Sequence, residues 1–235
     1  MDDRLIVALD VNNENKALGL VRLLKNDVSF FKVGLELFTS CGSSIVKAIK
    51  AEGCEIFLDL KLHDIPNTVA KTSCVMAGLG VSLFNVHALG GFDMMEWAAK
   101  AAEAKSAELK VEKPKILAVT ILTSMNEAGI RSVGIGGSVK DEVLKLASLA
   151  QDAGLEGVVA SPEEAAAIRK NAGKDFIIVT PGVRPEWAAK GDQKRVATPR
   201  EAIQAGASHI VVGRPITDAK DPAQAARKVL KEIAI

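Results

Sequence analysis

Eight short apolar runs alternate along this chain with longer amphipathic stretches, and that alternation limits the fold more than any other feature. The runs are LIVALD (5–10), FFKVGLE (30–36), EIFLDLK (55–61), VSLFNVHA (81–88), KILAVTIL (115–122), LEGVVAS (155–161), FIIVTPG (176–182) and HIVVGR (209–214). Between them lie segments such as NKALGLVRLLKN, SSIVKAIKAEG, NTVAKTSCVMAGLG, DEVLKLASLAQDAG and PEEAAAIRKNAG. Several of these end in Gly, the usual residue just past a helix C-terminus, and Ser or Asp often stands at the start as an N-cap. Strands that alternate with helices form a parallel sheet. Eight such units in 235 residues fit a (β/α)8 barrel, a single α/β domain over residues 1–235. A doubly wound open sheet is the alternative, but it more often shows a Gly-rich turn after the first strand, and LIVALDVNNEN has none.

Composition narrows the function. Thirty basic residues against 29 acidic ones leave a net charge of +1, and the chain has no Tyr and two Trp. Neither the electrostatic footprint nor the stacking surface of a nucleic-acid binder is expected. Cys41, Cys54 and Cys74 are odd in number and widely spaced. Free thiols in a reducing cytoplasm are expected rather than a disulfide framework or a zinc site. The N-terminus MDDRLIVALDVNN lacks the basic start and apolar core of a signal peptide, and no run reaches the length of a membrane span.

Strand phase locates the chemistry. Side chains alternate along a strand. In the third run Phe57, Asp59 and Lys61 share one face, and Ile56, Leu58, Leu60 and Leu62 share the other. The same count groups Ile6, Ala8 and Asp10 in the first, Phe30, Lys32 and Gly34 in the second, and Asn85 with His87 in the fourth. Barrel active sites lie at the C-terminal mouth, so Asp10, Lys32, Asp59 and Lys61 are expected to meet in one pocket. An ion-pair network that only fixes register would look the same from the sequence. Charged groups gathered at a barrel mouth are, however, where substrate-handling residues are expected. An ammonium held there can stabilise a developing carbanion and then protonate it. Asp64 falls beyond the strand, before Ile65 and Pro66, on the loop into the next helix, where Pro suits the first turn.

The far end of the chain suggests a phosphate grip. VVGRPIT (211–217) brings Gly213 and Arg214 to the end of the eighth strand. Barrels often bind phosphate on the loops after strands seven and eight. The long segment 180–199 carries Arg184, Lys190, Gln193, Lys194 and Arg195, with glycines at 182 and 191, and reads as a lid. His63 reads as a surface residue or one that supports the site from behind, His87 as a hydrogen-bonded core histidine rather than a catalytic one, and His209 as structural. Met94, Met95 and Trp97 read as packing or dimer contacts.

Together, LDV (9–11), FKVGLELF (31–38), DLKLHDIPNTV (59–69), VTILTS (119–124), TPGVRP (180–185), GDQKRVATP (191–199) and VVGRPIT (211–217) resemble the orotidine 5'-phosphate decarboxylases of bacterial type over nearly the whole chain. Sister barrels share D-x-K-x-x-D but use magnesium on sugar phosphates, and they carry a glutamate metal ligand at the end of strand two. Here that place is Lys32. The resemblance implies conversion of orotidine 5'-phosphate to UMP and CO2 in pyrimidine biosynthesis, with no metal or organic cofactor. It implies Lys61 as proton donor to C6 of the pyrimidine and Asp59 beside the departing carboxylate. It implies a cytoplasmic homodimer in which Asp64 completes a Lys32–Asp59–Lys61–Asp64 array across the interface. Asp10 and Lys32 would hold ribose hydroxyls, with Ile65 and Thr68 also at the substrate and Thr68 serving the neighbouring site. Thr123 would meet the pyrimidine, with Ser124 and Asn126 close by, and Pro181 would line the ring pocket. Arg184, Gln193, Gly213 and Arg214 would hold the phosphate. Two other readings compete: a magnesium-dependent sugar-phosphate enzyme, marked by sensitivity to chelators, and a barrel that binds nucleotides without turnover.

Overall fold

The structure, a computed structural model, describes residues 2–188 and 197–234. It is a closed parallel barrel with strand order β1 to β8. The first half runs β1 (Leu5–Ala8), α1 (Glu14–Leu24), β2 (Phe30–Gly34), α2 (Leu35–Cys41), α3 (Ser44–Ala51), β3 (Glu55–Leu62), α4 (Pro66–Leu79) and β4 (Leu83–His87). A 3-10 turn (Ala88–Gly90) leads to α5 (Phe92–Leu109), β5 (Lys115–Val119), α6 (Glu127–Ser132), α7 (Val139–Asp152) and β6 (Gly157–Val159). The remainder is α8 (Pro162–Ala172), β7 (Ile177–Thr180), α9 (Pro199–Gln204), β8 (His209–Val212), α10 (Arg214–Thr217) and α11 (Pro222–Ile233). Each apolar run is thus a strand, and the barrel expected from the alternation is the one observed.

Helix ends follow local chemistry. Asn13, Ser138, Ser161 and Asp221 each accept a backbone N–H from the first turn of the helix they precede. Thr198 and Glu201 form a reciprocal capping box on α9. Gly80 and Gly173 close α4 and α8 with positive φ, which only glycine adopts without a steric penalty.

The strands divide their side chains as the pleat demands. Ile6, Phe30, Phe57, Leu83, Leu117, Val119, Val159, Val179 and Val211 fill the barrel interior. Val7, Phe31, Val33, Ile56, Leu58, Phe84 and Val86 point outward under the helices. Each such side chain withdrawn from water contributes about 1.5–3 kcal/mol, so both layers hold the staves in register. Several runs overshoot their strands. β1 ends at Ala8, β5 at Val119 and β8 at Val212, each short of the end of its run. Among the described residues no helix is long and apolar enough to cross a membrane.

Candidate active site

The barrel's C-terminal end gathers the charges that strand phase assigned to it. Lys32 ends near the middle of a chain of alternating sign. Its Nζ lies 3.0 Å from Asp10 Oδ1 and 3.5 Å from Asp59 Oδ2, and Lys61 Nζ lies 2.7 Å from Asp59 Oδ1. The Lys32 and Asp59 side chains are only 11% and 14% exposed. Gly34 makes the room: a Cβ there would stand 2.9 Å from Lys32 Nζ. Attraction within each pair, roughly 4 kcal/mol at 4 Å and an effective dielectric of 20, is of the same order as the several kcal/mol lost in desolvating an ion. The array is therefore close to neutral for stability, and a stability role does not account for it. Burial alone would raise the Asp59 pKa. The Lys32 and Lys61 ammoniums, with hydrogen bonds from Lys61 and Asn85, outweigh burial and hold the carboxyl below its ordinary range.

Simple alternation does not carry through to Lys61. The β3–β4 ladder pairs Leu58 with Phe84 and then Leu62 with Val86, so β3 carries two extra residues across that interval. Lys61 has φ +55, a left-handed conformation that costs a non-glycine residue on the order of 1–3 kcal/mol. Asn85 spans the irregularity. Its Oδ1 accepts the Lys61 backbone N–H at 2.8 Å, and its Nδ2 donates to Asp59 Oδ1 at 2.7 Å. Phase put Asn85 on the inward face but gave it no task. A bulge leaves no trace in apolar periodicity, so the only available signal was a polar residue at a core position.

Across the mouth, a cavity of about 220 Å³ runs from Asp10, Lys32 and Asp59 to Pro181, Arg184, Gly213 and Arg214. The segment after β7 returns to the barrel where Val183 bridges Ala197, and the Arg184 N–H donates to Ala197 O at 2.9 Å. Arg184 is buried. Arg214 opens α10, so the end of the eighth run is a helical turn and not strand. Gln193, with Lys190, Gly191, Lys194 and Arg195, lies outside the described residues.

Other candidates stand apart. Asp64 is exposed and accepts the Ile65 N–H at 2.7 Å, and among the described residues it pairs with neither lysine of the array. Ile65 and Thr68 are exposed where α4 begins. Thr123 is half-buried in a turn four residues beyond β5, and Asn126 is occupied in capping α6 through Gly129 N. His63 is exposed and stacks at 5.3 Å on His87. His87 departs from expectation: its Nδ1 is buried and, among the described residues, has no hydrogen-bond partner. Burial, then His63 and Lys61, lowers the His87 pKa and favours the neutral ring. His209 is structural, its Nδ1 lying 2.9 Å from Asp3 O and its ring set edge-on to Phe30. Met94 and Met95 are buried packing, and Trp97 is half-exposed. Among the described residues no group of three His, Cys, Asp or Glu side chains could hold a metal ion.

Comparison with known proteins gives the same reading. Residues 3–229 match the model of the orotidine 5'-phosphate decarboxylase / HUMPS family. The chain is 52% identical over 231 residues to the orotidine 5'-phosphate decarboxylase of Geotalea daltonii, covering 98% of this chain and 95% of that one. It is 53% identical over 232 residues to that of Geobacter sulfurreducens, covering 98% and 96%. The crystal structure of orotidine 5'-phosphate decarboxylase from Lactobacillus acidophilus superposes with a TM-score of 0.88 at 41% identity, over 100% of both chains. The alternating charges at the mouth and the full-length likeness agree: this chain belongs to the orotidine 5'-phosphate decarboxylase family.

Proposed function

We propose that the protein decarboxylates orotidine 5'-phosphate to UMP and CO2 as a cofactor-free carboxy-lyase, the whole chain 1–235 serving as one catalytic domain. The observation that carries this is the Asp10–Lys32–Asp59–Lys61 chain, whose first three members line one small cavity together with Gly213 and Arg214. In this reading Arg184, Gln193, Gly213 and Arg214 hold the phosphate, and Asp10 and Lys32 take the ribose hydroxyls. Thr123 and Pro181 meet the pyrimidine. The substrate carboxylate then lies beside Asp59. The C6–carboxylate bond breaks, CO2 leaves, and the bonding pair remains on C6. Lys61 Nζ stabilises that pair and delivers its proton to it. Phosphate binding, remote from C6, supplies free energy that is realised at the transition state.

The same reading includes a cytoplasmic homodimer, with Asp64 of each chain reaching the other's site and Ile65 and Thr68 beside it. Two features support the dimer. Asp64 is not used by its own chain's array, and Ile65, next to it, is 65% exposed. Free Cys41, Cys54 and Cys74 accord with a reducing compartment.

The test is the loss of orotidine 5'-phosphate absorbance with purified protein in excess EDTA. Conversion to UMP is expected. Folded protein without turnover would overturn the assignment, and activity on sugar phosphates that appears only with magnesium would replace it.

A further inference from the structure

Asn85 is fully buried on the inward face of β4. A carboxamide withdrawn from water needs partners for both its ends, and an aliphatic side chain would fill the same space without that demand. Both ends are used on the neighbouring strand. The orientation of the amide follows from the partners: a backbone N–H can only donate to Oδ1, and an ionised carboxylate can only accept from Nδ2. The two bonds, 2.8 Å from Lys61 N and 2.7 Å to Asp59 Oδ1, straddle residue 60. They stand in for ladder bonds that β3 and β4 lose between Leu58 and Leu62. One of them restrains the residue with φ +55. The other brings a second donor to the oxygen that receives Lys61 Nζ, while Asp59 Oδ2 faces Lys32.

We propose that Asn85 is a positioning residue for the decarboxylation: through the Lys61 backbone N–H and Asp59 Oδ1 it fixes where ammonium and carboxylate stand relative to each other. The inference rests on Lys61 being the proton donor. Asn85 acts through these two residues, so its loss displaces the ammonium from C6 and leaves the phosphate grip intact. The groups facing Asp59 are Lys32 from β2, Lys61 from β3 and Asn85 from β4, with His87 farther along β4. Removing the Asn85 donor takes away one bond that favours ionised Asp59, so Asp59 protonates at higher pH.

The experiment compares wild type, Asn85→Ala, Asn85→Asp and Lys61→Ala in full-length protein by steady-state kinetics from acid to alkaline pH and by UMP titration. For Asn85→Ala, kcat is expected to fall about a hundredfold with UMP affinity kept within about threefold, since a misplaced group costs rate rather than remote binding. The acid limb of its kcat/KM profile moves to higher pH. Asn85→Asp keeps the shape and the acceptor for Lys61 N–H, so it carries the test if the alanine variant does not fold. Beside ionised Asp59 its new carboxyl keeps its proton and donates to Asp59 as the amide did; once pH passes the pair's raised second ionisation the donor becomes a repelling carboxylate, so its turnover falls toward alkaline pH. Turnover within about threefold of wild type and an unmoved acid limb in the Asn85 variants, with Lys61→Ala inactive, overturns the inference. So does a loss of kcat and UMP affinity together with no movement of the limb, which marks a purely structural residue. Wild-type turnover in Lys61→Ala overturns the lysine assignment and the inference with it, a result distinct from both.

Discussion

The two ends of the barrel carry similar side chains and do different things with them. At the N-terminal end a cavity of about 450 Å³, twice the size of the one at the mouth, is lined by Lys50, Glu55, Lys113, Lys115 and His209 over a floor of Phe30. One ion pair there stays near water: Lys50 meets Glu55 at 3.8 Å with both side chains more than a third exposed. At the C-terminal end the cavity is smaller, but Lys32 and Asp59 are nearly out of water and Lys61 is held in a strained backbone. Exposed pairs contribute at most about 1 kcal/mol and are screened by salt. Ions withdrawn from water interact more strongly with one another and with any ligand placed among them. Cavity size therefore favours one end of this molecule and charge burial the other, the end that holds the proposed site.

The sharpest way to break that contrast is Lys61→Ala. Turnover is expected to fall by about 10⁴-fold or more, combining proton transfer with electrostatic stabilisation, while UMP still binds in a calorimetric titration. Near-normal turnover would leave the buried array without a catalytic role. Arg214→Ala has the next largest effect. Loss of charge-assisted hydrogen bonds to phosphate lowers kcat/KM by about 10- to 100-fold in steady-state assays, with a raised KM. An unchanged KM would move the phosphate away from this rim. At the opposite end, Lys113→Ala removes a 2.8 Å pair with Glu156. It is expected to shift stability by less than about 1 kcal/mol in thermal melts and kcat/KM by less than about twofold. A large kinetic loss there would mean that the two ends are coupled, and the contrast would fail.

Most of the barrel was legible from its repeating pattern, because each strand's inward and outward faces must satisfy packing on both sides. Ile6, Phe30 and Phe57 point inward where strand phase put them, and Asp10, Lys32 and Asp59 follow from the same count. Legibility ended where backbone geometry departs from the repeat. Lys61 meets Asp59 by way of a bulge and a left-handed dihedral, neither of which hydrophobic spacing encodes. Asn85 was placed correctly, but its partners depend on that bulge. Thr123 lies in a turn beyond β5 because the run KILAVTIL continues three residues past the last paired one. His87 reads in the sequence as a satisfied core residue, and only three-dimensional neighbours reveal that its Nδ1 has no partner among the described residues.

The dihedral of Lys61 has a consequence for anyone redesigning this protein. A procedure that chooses residues for backbone fit alone would write glycine at position 61, since glycine adopts φ +55 without strain. A library ranked only by heat resistance would drift the same way and discard the ammonium. Given the proton-donor role proposed for Lys61, position 61 is where selection for folding and selection for turnover pull in opposite directions, and screening on stability alone would optimise the protein into an inert barrel.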